Sequence, residues 1–250
     1  MLNNTEDQRY NRNILINEIG TEGQNKLLKS KVLICGAGGL GSILISTLSS
    51  LGIGTIGIID GDVIEISNLN RQFIHSPQKI GKLKVESAKE WINSFNPQIN
   101  VEIHPIRLNI NNYSEIIGKY DLVIDCFDSF KSKFMLNEIC VKNKKTLIHG
   151  GVTEFYGQIM TIIPEKSSCL MCLFNEYNEN AFNDNPRGVI SPVVNTIGSI
   201  QAMEAVKILL NHNTLLINSF LSYDGLKQEF KKFEVKQNNN CPVCGRHYNI

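Results

Sequence analysis

Six residues, Gly36-Ala37-Gly38-Gly39-Leu40-Gly41, match the pattern G-x-G-x-x-G, and Asp60 stands 19 residues beyond the last glycine. Glycines let a backbone approach a phosphate or ribose closely. The helix that follows such a loop offers its N-terminus to an anion, and an acid at the end of the next strand takes ribose hydroxyls. This points to a nucleotide without saying which one, since a nicotinamide-dependent oxidoreductase carries the same fingerprint. The residues that discriminate come next: Asn68 and Arg71 in Ser67-Asn68-Leu69-Asn70-Arg71-Gln72, and Lys84 in Gly81-Lys82-Leu83-Lys84. A hydride-transfer enzyme has no need of them just beyond its ribose acid. Three phosphates, with about four negative charges, need a clamp of cations and metal.

A second constellation is made of sulfur. Cys169-Leu170-Met171-Cys172 and Cys241-Pro242-Val243-Cys244 form two C-x-x-C pairs, and four thiolates from two such pairs suit a closed tetrahedral zinc site. A redox reading is weaker, because neither pair is expected to open a helix in a thioredoxin-like setting. Of the seven cysteines, Cys35, Cys126 and Cys140 are left, and they fall in apolar segments where cysteine behaves as a small buried hydrophobe. An odd number of cysteines too sparse for a disulfide framework fits a reducing, cytoplasmic setting.

These groups need elements to hold them. Val32–Cys35 reads as a buried strand, Leu40 to Leu51 as a helix with apolar residues at helical spacing, and Thr55–Asp60 as the next strand, together a βαβ unit. The stretch from Val32 to Ile59 lacks charge, but its glycines and hydroxyls favour this reading over a membrane span. Further helices are expected at Lys82–Phe95, Lys131–Lys144 and Pro192–Leu210. Further strands are expected at Val101–Pro105, Tyr120–Asp125, Thr146–His149, Gln158–Ile163, Leu215–Tyr223 and Gln228–Val235, the last two antiparallel about Asp224-Gly225. The fold class that follows is α/β: a Rossmann-like, doubly wound, mainly parallel sheet with a C-terminal antiparallel extension. In a 250-residue chain, a single domain is expected, with a helical arm over 1–30, a nucleotide-binding core over 31–164, a mobile crossover loop over 165–190 and a C-terminal part over 191–250.

Charge is balanced, 25 Lys plus Arg against 24 Asp plus Glu, which argues against nucleic acid or an anionic membrane as partner. The polar first ten residues lack the apolar core of a signal peptide. His75, His104 and His212 read as surface residues, Trp91 as a helix anchor, and His149 as a strand-end residue at the crevice with no assigned role.

Several segments together carry a resemblance. RYNRN at Arg9–Asn13, the glycine loop, Asp60 and Asp62, SNLNRQ, GKLKVESA, DCFDS, GQI at Gly157–Ile159 and GSIQAMEAVK at Gly198–Lys207 resemble, in order and spacing, the MoeB/ThiF/HesA family, relatives of the ubiquitin-activating enzymes. The resemblance implies an adenylyltransferase that uses magnesium ATP to adenylate the C-terminal glycine of a ubiquitin-like sulfur carrier ending in Gly-Gly. Molybdopterin or thiamine biosynthesis is the implied setting, and a different carboxylate, such as a peptide C-terminus, is the alternative. It further implies that Gly36, Gly38, Gly39 and Gly41 shape the nucleotide loop, that Asp60 binds the ribose, and that Asn68, Arg71 and Lys84 line the phosphates. Asp62 and Gln72 complete the nucleotide site, and Asp128 serves magnesium. Arg12 acts on the neighbouring subunit of a homodimer, and the four paired cysteines hold structural zinc. Two departures stand out. Ser129 and Lys133 replace the Asn and Arg usual after the Asp of DCFDS, and the run Asn183-Asp184-Asn185-Pro186 lacks the cysteine that some relatives use for a thioester or persulfide.

Overall fold

A computed structural model describes residues 4–107, 112–174 and 187–245. One eight-stranded sheet has the order β3-β2-β1-β4-β5-β6-β7-β8. Strands β1 (Lys31–Cys35), β2 (Thr55–Ile59), β3 (Asn100–His104), β4 (Leu122–Asp125) and the start of β5 (Leu147–Thr153) run parallel. From β5 onward the pairing turns antiparallel through β6 (Tyr156–Ile162), β7 (Ser219–Asp224) and β8 (Glu229–Glu234). Strand order reverses direction at β1, between β2 and β4, which opens a crevice beyond the carboxyl ends of those strands.

Helices α3 (Gly39–Leu51), α4 (Lys84–Phe95) and α8 (Ser191–Leu209) supply the core of one face, built on Leu44, Leu48, Ile92 and Ala205. Helices α5 (Tyr113–Ile117), α6 (Phe130–Lys142) and α7 (Leu170–Phe174) cover the other face with Tyr113, Leu136 and the cysteine pairs. Burial on both faces explains why β1 and β2 are nearly continuous apolar runs. Helices α3 and α8 meet through a seam of small residues. A methyl group on Gly198 would lie 2.7 Å from Ile43 Cβ, and one on Gly39 would lie 3.0 Å from Val194 Cγ1.

The N-terminal segment folds as α1 (Asn4–Ile14) and α2 (Gly20–Lys29). Tyr10 anchors α1: its hydroxyl accepts from Asn96 Nδ2 at 2.8 Å, and its ring covers Gly52 at the C-terminal end of α3.

Expected and observed elements differ in a few places. Helix α4 begins at Lys84 rather than Lys82, because Leu83 bridges to Val63 and stays extended. Strand β5 runs on to Thr153 because β6 pairs with its whole length. Strand β7 begins only at Ser219, after Asn218 turns the chain with φ 50°. Trp91 is a partly buried anchor stacked on Phe95, with ring centroids 4.9 Å apart. The expected mobile loop over 165–190 contains α7, and its residues 175–186 lie outside the described residues. Among the described residues no helix is long and apolar enough to cross a membrane.

Candidate active site and metal centre

The glycine loop joins β1 to α3 at the strand-order reversal. Gly36 has φ 111°, a left-handed conformation that glycine alone adopts without strain, and a Cβ on Gly41 would stand 2.0 Å from the Gly36 carbonyl oxygen. Asp60, at the end of β2, braces this loop: Oδ2 accepts from the Ala37 N–H at 2.8 Å and Oδ1 from the Asp62 N–H at 2.8 Å. Burial pushes the Asp60 carboxyl above the usual range, opposed by Lys84 and the two backbone donors.

The crossover from β2 to α4 then lays its polar residues beside the loop. The Arg71 stem lies over Gly39, and its guanidinium donates to Ser67 O at 3.1 Å and Asn70 Oδ1 at 2.8 Å. Gln72 Nε2 faces Gly38, while Gln72 Oε1 is buried without a partner. Asn68 caps the short turn Ile66–Asn68, its Oδ1 accepting from the Glu65 N–H at 3.0 Å. Lys84, buried at the first position of α4, meets Asp62 Oδ2 at 3.3 Å, and Asp62 Oδ1 also takes Arg107 at 2.9 Å. Asp62 is therefore the counterion that holds Lys84. The structure brings together the glycine loop, Asp60, Asp62, Arg71, Gln72 and Lys84.

Asp128 is exposed in the loop after β4, a loop that begins where Cys126 packs against Gly36. Arg12 is elsewhere. It is exposed on α1, which docks at the far end of α3, about 20 Å from the glycine loop by the rise of a 13-residue helix.

The loop fits a nucleotide. No side chain caps α3 at Gly38, the Gly38 N–H has no partner among the described residues, and Gln72 Oε1 is an orphaned acceptor beside it.

Sequence reasoning missed a buried network at the ends of β4 and β5. Lys133 Nζ reaches Asp125 Oδ2 at 3.2 Å and donates to the Gly150 carbonyl at 2.6 Å, and His149 Nδ1 donates to Asp125 Oδ2 at 2.7 Å. His149 Nε2 then accepts from Gln158 Nε2 at 3.1 Å. Burial alone would raise the Asp125 carboxyl, but Lys133 and the His149 bond outweigh it and hold it below the usual range. Burial lowers His149, so the ring is neutral. The signal in the sequence was Lys133 itself, a cation amid the buried positions of α6.

The surface reading of the histidines is corrected. His75 is buried, 6% exposed, because Ser87 and the Ala37 carbonyl satisfy both ring nitrogens. His104 and His212 are partly covered, and His104 Nε2 lies 3.1 Å from the Tyr120 hydroxyl. Burial lowers His75 to about 4 and His149 in the same direction. As pH falls below about 6.5 the unfolded chain binds protons at these rings and the folded chain does not, so stability declines with acid. His75 alone accounts for about 3 kcal/mol between pH 6.5 and 4, from about 1.4 kcal/mol per pKa unit. Thermal denaturation across that range is expected to show a steeper fall for the wild type than for His75→Gln, and parallel curves would contradict the assignment.

The metal centre lies on the opposite face. The four sulfurs of Cys169, Cys172, Cys241 and Cys244 lie within 4.8 Å of one another, with Cys169 to Cys241 at 3.7 Å and Cys172 to Cys244 at 3.3 Å. Those separations are too long for disulfides. They are near the roughly 3.8 Å edge of a tetrahedron with zinc–sulfur bonds of about 2.3 Å. The four cysteines fit a zinc site. The first pair opens a helix, the five-residue α7, but in no thioredoxin-like setting, since the second pair closes over it. Burial raises the thiols of Cys35, Cys126 and Cys140, which suits core residues and not nucleophiles.

A doubly wound α/β protein with a glycine loop at its strand-order reversal, cations beside it and a four-sulfur knot on its back has the build of a nucleotide-binding protein. The profile of the ThiF family matches residues 10–243, and the chain belongs to that family. It is similar to the SAMP-activating enzyme E1 of Haloferax volcanii, 37% identical over 246 residues, covering 98% of this chain and 91% of that one. It is also 34% identical over 244 residues to the sulfur carrier protein adenylyltransferase of Thermus thermophilus, covering 95% of this chain and 90% of that one. Among solved structures, Escherichia coli MccB with ATP superposes with a TM-score of 0.83 at 25% identity, over 94% of this chain and 74% of that one. The chain is an adenylyltransferase.

Proposed function

We propose that this enzyme adenylates the C-terminal glycine carboxylate of a small ubiquitin-like sulfur carrier, with magnesium ATP as co-substrate. The observation that carries the reading is the set of Arg71, Lys84 and the Gly38 N–H around one crevice, together with relatives named for sulfur carriers and SAMP activation.

The chemistry follows from charge. A terminal carboxylate, with a pKa near 3.5, is already ionised at pH 7 and needs no general base. Its obstacle is repulsion by the polyphosphate. The glycine loop and Asp60 fix the nucleoside end, Arg71 leaves its Ser67 and Asn70 bonds for the phosphates, and Lys84 is held ready by Asp62. The carboxylate oxygen bonds to the α-phosphorus in line, the bond to the bridging oxygen breaks, and pyrophosphate leaves with the electron pair. Asn68 and Gln72 supply further polar contacts, and Asp128 would hold the magnesium that neutralises phosphate charge. With no cysteine in Asn183-Asp184-Asn185-Pro186, the acyl adenylate is handed on without a thioester to that segment.

Arg12 supports a homodimer. It stands too far from its own loop to serve it, so its partner is the phosphate site of a second copy. Mixing Arg12→Ala and Lys84→Ala proteins, each inactive alone, is expected to restore about a quarter of wild-type exchange. Random assortment makes half the dimers mixed, and each mixed dimer has one intact site. Activity equal to the sum of the parents would argue against shared sites.

The decisive assay is labelled pyrophosphate exchange into ATP with carrier proteins of about 70–90 residues ending in Gly-Gly, near the lower size for an independent domain. Exchange is expected only with the terminal glycine present. Exchange with short peptides instead of carriers would move the substrate class. Three core cysteines and four metal-ligand cysteines, none in a disulfide, suit a reducing compartment, and we assign the enzyme to the cytoplasm.

A further inference from the structure

His75 is used neither by the fold's apolar core nor by the chemistry above, yet it is buried directly behind the glycine loop. Its Nε2 lies 3.1 Å from the Ala37 carbonyl oxygen and its Nδ1 lies 2.9 Å from Ser87 Oγ on α4. A carbonyl only accepts, so Nε2 carries the proton. In the neutral ring Nδ1 then accepts from the Ser87 hydroxyl, which satisfies that tautomer and holds the ring from behind. The ring's lowered pKa agrees with a neutral imidazole; the cations facing it are Lys84 and Lys79.

The Ala37 carbonyl belongs to the same peptide unit as the Gly38 N–H. That unit is trans, so the two bonds point in opposite directions. Holding the carbonyl on the His75 side therefore turns the Gly38 N–H away from it, toward the crevice, where it has no partner among the described residues. The other end of Ala37 is pinned too, through its N–H to Asp60. Glycine at 38 leaves that plane free to rotate unless something holds it.

We propose that His75, with Ser87 behind it, is a positioning residue that sets the Ala37–Gly38 peptide plane so that the Gly38 N–H donates to the bound nucleotide. This inference rests on the reading of the loop as an ATP site. Without the imidazole the plane samples orientations in which the donor is lost, and a nucleotide meets a carbonyl oxygen in its place. Affinity for ATP carries the effect. The carrier's own affinity does not.

The test compares His75→Leu, which fills the space without a donor, with His75→Gln, whose amide nitrogen reaches about as far as Nε2. Binding of a non-hydrolysable ATP analogue is measured by titration calorimetry on the full chain without carrier, alongside thermal denaturation. His75→Leu is expected to bind about tenfold more weakly, with His75→Gln within about threefold of the wild type and the KM for carrier unchanged in both. Equal binding by wild type and His75→Leu overturns the inference. So does equal weakening in both variants in step with their melting temperatures, which would mark a packing role. A wild-type protein that binds no analogue would instead overturn the ATP reading beneath it. Ser87→Ala, which removes the ring's rear hydrogen bond while leaving the bond to the Ala37 carbonyl, is expected to weaken binding less than His75→Leu does, and a larger loss would contradict the order of the relay.

Discussion

Replacing Lys84 with Met is expected to lower carrier-dependent pyrophosphate exchange by about 10²- to 10³-fold, the scale for removing one preorganised donor from developing charge. The fold is expected to tolerate the change. The methionine stem fills the same partly apolar space at the start of α4, and Asp62 keeps Arg107 at 2.9 Å as its counterion. The exposed Asp62–Arg107 pair and its lost neighbour shift stability by about 1 kcal/mol or less. Arg71→Met is expected to act in the same way, since among the described residues its guanidinium bonds only within its own turn and its stem stays over Gly39. A Lys84→Met enzyme that exchanges within threefold of wild type, with the same fold by circular dichroism, would refute the phosphate assignment.

The second large effect concerns the sulfur knot. Cys172→Ser, or removal of metal by a strong chelator, is expected to lower the melting temperature by about 10 °C. The knot ties residues 72 apart in the chain. A cross-link over a loop of that length restricts the unfolded chain by about 4 kcal/mol, and a domain of this size shifts about 2–4 °C per kcal/mol. The ends lost first are the chain beyond β8 and α7, whose packing depends on Val235, Leu170 and Cys241 meeting in one cluster. Metal analysis should return one zinc per chain. A chelated protein that melts where the untreated one does would show that the thiols close without metal.

Much of this architecture was legible because its signals are local. The β1–α3–β2 unit is written in apolar periodicity with glycines at its corners, and the two C-x-x-C pairs announce a tetrahedral site by spacing alone. Arg71 and Lys84 stand in one short polar crossover, so their convergence at the loop followed from the strand they trail. The buried Asp125–Lys133–His149–Gln158 network was not legible. Its members come from β4, α6, β5 and β6, and only register, Asp125 beside His149 in the sheet, brings them together. His75 was misread for the same reason. A lone histidine in a polar stretch has no periodic partner, and its burial depends on Ser87 one turn into α4 and on a carbonyl 38 residues back. Charge at Lys133 is the general lesson: where a cation falls on the buried stripe of a helix, an anion from another element must be waiting.

The seam between α3 and α8 bears on how fast the enzyme can take up its nucleotide. With the Val194 side chain seated on Gly39 and the Ile43 side chain on Gly198, the helix that opens at the glycine loop and the helix that backs the antiparallel strands are tightly packed together. Enzymes that close two lobes around a ligand lose part of their affinity to the closing and wait on it kinetically. No such hinge lies between these helices. Nucleotide capture is then expected not to wait on any movement of α3 against α8.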